Sequence, residues 1–174
     1  MRTRLLLLAL LAAGQAQAAT HAFCWRGADG YRMEGVIAYP DALEGRTVTE
    51  DDVTRFAIAG WQRDAFLGRW SLEQRTPATS WVLRFDTRSL SFPMGGDQVR
   101  GSYQAWNANG QVDDCGDPGF GFNGGNVGQD VCVDGVFRTA STIDPGTPLV
   151  ATGSLSDPCG PLPMSALPGP RRHG

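Results

Sequence analysis

Apolar and polar residues alternate along much of the chain with a period of two, which places successive side chains on opposite faces of a strand. Tyr31, Met33, Gly35, Ile37 and Tyr39 share one face of a run whose other face begins with Arg32 and Glu34, and Pro40 ends it. Phe56 and Ile58 alternate with Arg55, Ala57 and Ala59. Phe66, Trp70 and Leu72 oppose Arg69, Ser71 and Glu73, while Trp81, Leu83 and Phe85 alternate with Val82, Arg84 and Asp86. Weaker strands are predicted at 99–106, 130–133, 135–139 and 149–153. Thr49 followed by Glu50, Asp51 and Asp52 predicts one short helical turn, or equally a polar strand entry. Short strands punctuated by Gly and Pro, with almost no helical period, predict an all-β domain. An antiparallel β-sandwich is the expected architecture, with a small β-barrel as second choice. Residues 107–128, crowded with Gly, Asn and Asp and poor in apolar side chains, read as a long ordered loop.

The two ends break this pattern. Arg2 and Arg4 precede the apolar run from Leu5 to Ala13, and Ala16-Gln17-Ala18 supplies a small-x-small cleavage site, so residues 1–18 read as a secretory signal peptide. The run is far shorter than the roughly 20 residues that a bilayer span requires. The expectation is therefore a secreted or periplasmic protein beginning near Ala19, with no membrane span once the signal is removed. Residues 19–157 form the predicted sandwich domain. From residue 158 to 174 there are too many prolines for a regular element, and this stretch reads as an extended, disordered tail.

Charge narrows the partners. The 174 residues carry 15 basic and 18 acidic side chains, a net charge of −3; loss of Arg2 and Arg4 leaves 13 against 18, or −5. A nucleic acid or an anionic membrane is disfavoured as partner. Every basic residue is arginine, which removes lysine Schiff bases, lysine general bases and P-loop phosphate binding. Cys24, Cys115, Cys132 and Cys159 make an even count in an exported chain, which reads as two disulfides. Three pairings are open. Cys115 with Cys132 would order a glycine-rich segment and leave Cys24 with Cys159 to tie the ends together. Zinc is set aside, because no Cys-x-x-Cys occurs and the two histidines, His21 and His173, sit near the ends.

Gly35-Val-Ile-Ala-Tyr39, Val48-Thr-Glu-Asp-Asp-Val53 leading into Phe56-Ala-Ile58, and Leu83-Arg-Phe-Asp86 with Leu90 resemble the ectodomains of bacterial exported proteins that carry a PEP-CTERM or VPLPA-type sorting signal. Pro161-Leu-Pro163 and Arg171-Arg172 resemble the two ends of such a signal, without the transmembrane segment that separates them in that family. The resemblance implies an exported domain, released rather than anchored, and brings no catalytic residues with it.

Three chemistries remain to be weighed. Asn107, Asn109, Asp113, Asp114, Asp117, Asn123 and Asp130 gather oxygen donors on a flexible stretch, and calcium takes six to eight such ligands. Asp113, Asp114, Asp117 and Asp130 are the candidate calcium ligands, although their spacing fits neither the EF-hand nor the Gly-Gly-x-Gly-x-Asp repeat. Turn residues bonding their own backbone explain the same composition and are the favoured reading. Of the five tryptophans, Trp70 and Trp81 fall on apolar strand faces, which leaves Trp61 and Trp106, with polar neighbours, as candidate platforms for stacking on sugar rings. No Gly-x-Ser-x-Gly elbow and no well-held histidine support nucleophilic catalysis, and no pair of acids stands out for glycoside hydrolysis. The expected function is a non-catalytic secreted binding or structural module at or outside the cell surface, contacting an extracellular or envelope polymer. A calcium-assisted carbohydrate-binding domain and a hydrolase of extracellular polymers are the alternatives.

Overall fold

The computed structural model describes residues 17–110, 115–152, 155 and 158–160. Most of the predicted signal peptide and the tail beyond Gly160 lie outside these residues. Thirteen strands are formed among them: β1 (Ala18–Arg26), β2 (Tyr31–Pro40), β3 (Thr47–Thr49), β4 (Arg55–Gln62), β5 (Ala65–Ser71), β6 (Trp81–Val82), β7 (Arg84–Asp86), β8 (Ser91–Phe92), β9 (Gln104–Trp106), β10 (Phe120–Gly124), β11 (Gln129–Val133), β12 (Val136–Phe137) and β13 (Leu149–Thr152). All pairings are antiparallel, in one sheet of order β3-β7-β8-β13-β1-β2-β4-β5 and a second of order β12-β11-β10-β9-β6. The two sheets pack as an all-β fold, with one of them curled into a half-barrel. No helix among the described residues is long and apolar enough to cross a membrane.

The predicted alternation becomes the core. Met33, Ile37 and Tyr39 of β2, Phe56 and Ile58 of β4, and Phe23 and Trp25 of β1 are all buried, and they meet Trp106, Phe120, Phe122 and Val131 of the smaller sheet. Phe120 packs onto the larger sheet where Gly60 and Gly68 stand opposite each other on β4 and β5 and leave a gap for its ring. A Cβ at Gly60 would lie 2.1 Å from the Phe120 ring. Two buried glutamines replace backbone pairing where the sheets meet. Gln104 of β9 accepts from the Arg84 amide at 3.1 Å and donates to the Arg84 and Pro93 carbonyls at 3.0 Å. Gln129 of β11 accepts from the Trp25 indole at 3.0 Å and donates to the Thr147 carbonyl at 2.7 Å.

Both disulfides follow the favoured pairing, Cys24–Cys159 and Cys115–Cys132. The first holds residues 158–160 against β1, and Arg26 donates to the Cys159 and Gly160 carbonyls.

Several local expectations are corrected. Residues 107–128 are not one loop: β10 lies within them, every residue of it buried, at the centre of the smaller sheet. Glycine and asparagine mask that strand in the sequence, and burial beneath neighbouring chain overrides their low strand preference. The strand expected over Trp81–Asp86 is broken at Leu83, where the chain leaves the smaller sheet as β6 and enters the larger as β7. Glu50 supports this crossing through the Leu83 amide at 3.4 Å and an ion pair with Arg84. The expected helical turn after Thr49 is a non-helical turn in which the Asp52 carboxylate accepts from the Thr49 amide and hydroxyl, each at 2.9 Å. β1 itself is absent from the predicted strands, and His21, for all its nearness to the expected mature terminus, is held within it by a 3.1 Å hydrogen bond with the Tyr39 hydroxyl.

Two outcomes follow from this packing. Gly60→Ala forces a methyl group onto the Phe120 ring and should destabilise the fold by about 1–3 kcal/mol, seen as a lower denaturation midpoint. Burial, reinforced by Glu44 and Asp41, raises the Tyr39 phenol above its ordinary 10.0. A raised folded-state value means that this contribution to stability is complete below pH 10.0 and is lost as pH climbs through the higher folded value. Alkaline unfolding of Tyr39→Phe should therefore lose part of the wild-type pH dependence above pH 10.0.

Candidate functional site

The outward residues of β1, β2, β4 and β5 build a surface that the apolar pattern does not explain. Strand pairing aligns them in rungs: Arg26, Arg32, Trp61 and Phe66; then Cys24, Glu34, Ala59 and Arg69; then Ala22, Val36, Ala57 and Ser71. Small side chains in the middle rungs make the floor of a groove of about 700 Å³. Arg55, Arg69, Glu34 and Gln74 stand around it, and Leu155 and Pro158 border it from the C-terminal segment that Cys24–Cys159 holds in place.

Trp61 and Phe66 lie at one end of this face. Their rings meet edge to face with centroids 5.6 Å apart, and the Arg32 guanidinium lies 4.8 Å from the Trp61 ring centre. Phe66 is 58% exposed, whereas alternation with Trp70 and Leu72 places it inside. A bulge explains the reversal. The register between β4 and β5 shifts between Gly60 and Trp61, so Gly68 pairs with Gly60 but Phe66 pairs with Trp61, and the extra residue, Leu67, packs against the core in its place. One inserted residue flips every side chain beyond it to the other face. Nothing in the local sequence marks the bulge except Gly60 and Gly68 themselves.

Trp106, the other expected platform, is completely buried at the centre of the core and cannot stack on a ligand. Asn107, its polar neighbour in sequence, turns away from it to donate to the Cys115 and Phe120 carbonyls at 2.9 Å.

The candidate calcium ligands are divided. Asp113 and Asp114 lie outside the described residues. Asp117 is exposed in the turn that precedes β10, where Phe120 pairs with Val133, while Asp130 pairs with Asn123 three rungs along the hairpin. At about 3.4 Å per residue the register puts these two acids on the order of 10 Å or more apart along the strands. Among the described residues no group of three or more His, Cys, Asp or Glu is gathered.

A second cavity, of about 250 Å³, opens on the outer side of the smaller sheet. Asn123 and Asp130 line it from β10 and β11, Gly110 and Tyr103 from the chain around β9, and Asp97 and Asn126 from turns. Burial pushes the Tyr103 phenol up, the hydrogen bond with the Gly110 backbone opposes the rise, and the negative charge of Asp97 adds to it. The disulfide Cys115–Cys132 anchors the chain after this region onto β11, and Ala108, Cys115, Cys132 and Phe137 pack together beside it.

No family model, no curated protein and no solved structure matches the chain.

Replacing Cys115 and Cys132 by serine opens a loop with a sequence separation of 17. The restored freedom of the unfolded chain should lower stability by about 3 kcal/mol, measured as a drop in melting temperature under oxidising conditions.

Proposed function

We propose that this protein is an exported, non-catalytic binding module, and that the outer face of β1, β2, β4 and β5 contacts a neutral polysaccharide of the cell envelope or its surroundings. The observation that carries the reading is the pair of exposed Phe66 and half-buried Trp61 at one end of a groove floored by small side chains. Indole and phenyl faces stack on the apolar faces of sugar rings, and a long groove with arginine, glutamine and carboxylate margins offers donors and acceptors to hydroxyl groups on both sides of a chain. An acidic protein has no long-range attraction for anionic polymers, which favours a neutral one.

Hydrolysis is the less supported reading. Among the described residues the groove lining carries one carboxylate, Glu34, which Arg32 engages at 3.5 Å, and the two-carboxylate mechanism of glycoside cleavage places a second acid across the bond. The two disulfides suit an oxidising compartment, in keeping with export.

Affinity electrophoresis in gels containing soluble neutral glucans, mannans or xylans tests the proposal. At least one polymer should retard the wild-type protein, and Trp61→Ala and Phe66→Ala should each weaken retardation about tenfold or more while leaving thermal unfolding close to wild type. No retardation in any neutral polymer, or equal retardation of the Trp61→Ala variant, overturns it.

A further inference from the structure

Asn123 holds a polar atom that the fold leaves unsatisfied. The residue is only 6% exposed, and its Nδ2 donates to Asp130 Oδ1 at 3.3 Å. Its other amide atom, Oδ1, is buried without a hydrogen-bond partner. Turning the amide over does not help, because it sets Oδ1 against the carboxylate oxygen of Asp130, two acceptors face to face. Oδ1 is directed instead toward the cavity wall formed by two glycines. Both glycines line the cavity, and a Cβ at Gly110 would meet Oδ1 at 3.5 Å and one at Gly125 at 3.2 Å, so only side-chain-free backbone stands on that side of the oxygen. A buried acceptor left without a partner costs about 1–3 kcal/mol, which native folds rarely tolerate without a ligand or water to receive it.

We propose that the cavity lined by Asn123, Asp130 and Asp97 binds a hard divalent cation of calcium's size, with the orphaned Asn123 Oδ1 among its ligands. Calcium is coordinated by amide carbonyls, carboxylates and waters together, at flexible geometry, and so does not require three acids. The lining supplies these types: the Asn123 amide oxygen, the carboxylate of Asp130, whose Oδ1 accepts from Asn123 Nδ2, and the exposed carboxylate of Asp97. Magnesium fits less well, because it holds its water shell and demands a tight octahedron. Asn123 and Asp130 belong to the oxygen-donor stretch that the sequence suggests, whereas Asp97 does not, and of the four acids named there only Asp130 takes part. The cavity and the polysaccharide groove lie on the outer faces of different sheets, so this inference stands independently of the proposed ligand.

Thermal unfolding and calorimetric titration of the full, disulfide-bonded chain in calcium chloride, magnesium chloride or EDTA decide the matter. Calcium should raise the melting temperature by several degrees in a saturable way, with magnesium weaker. Asp97→Asn, a substitution on the surface, should weaken calcium binding about tenfold, whereas Asp117→Asn should leave it unchanged. Asn123→Asp keeps the side-chain shape but sets a second carboxylate against Asp130. That variant should melt lower than wild type in EDTA and recover in calcium. No calcium-dependent shift in the wild type, or a shift of equal size in the Asp97→Asn and Asn123→Asp variants, overturns the proposal.

Discussion

The fold depends on one buried indole. Trp106 touches Phe122 of its own sheet at 4.8 Å between ring centroids, and Phe56, Phe92 and Phe23 of the larger sheet at 4.9, 5.0 and 5.6 Å. Its Nε1 hydrogen has no partner. Leaving that donor unpaired costs about 1–3 kcal/mol, whereas burying an indole of roughly 150–250 Å² yields roughly 4–6 kcal/mol at about 25 cal/mol per Å². Apolar burial outweighs the lost hydrogen bond, and the tryptophan becomes the joint between the sheets. The phenylalanines that surround it then set the spacing of the strands behind them.

Around this joint the fold is closed by polar and covalent ties rather than by continuous strand pairing. Gln104 satisfies the backbone at Arg84 and Pro93, where the chain has just left one sheet for the other. Gln129 connects the Trp25 indole to the turn before β13. Each glutamine is fully buried, so loss of either would strand several backbone groups without water to receive them. The disulfides act at the margins: one fixes the C-terminal segment beside the groove, the other fixes the chain beneath which β10 is buried.

Function is placed on the surfaces that the core leaves over. Packing requires the inward faces of β1, β2, β4 and β5 to be large and apolar, while their outward faces are free to carry arginines around a shallow floor of alanine and valine. The bulge at Gly60 and Trp61 turns an aromatic residue, which would otherwise join the core, out beside Trp61. On the other sheet, glycines at 110 and 125 approach Asn123 so closely that a Cβ at Gly125 would lie 3.2 Å from its Oδ1, and the buried amide oxygen is left without a partner.

Alternation along β2, β4 and the β11 region, the turn residues between them and the even cysteine count were enough to establish an all-β, disulfide-bonded domain, because period-two burial and covalent pairing are local or countable properties. Which residues sit where along an interrupted strand was not. Phe66 changes face through a bulge whose register is set across strands, Trp106 is covered by residues distant in sequence, and β10 is a strand only because both of its faces are buried. Arg32 and Glu34 were legible as outward residues from their phase, but the stacking of Arg32 on Trp61 and the place of Glu34 on the rung of Arg69 depend on strand order, and the unsatisfied oxygen of Asn123 depends on what lies around it. Local pattern determined the class of fold and the pairing of cysteines; the tertiary packing decided which aromatic is exposed and which polar atom lacks a partner, since exposure is a property of neighbours rather than of residues.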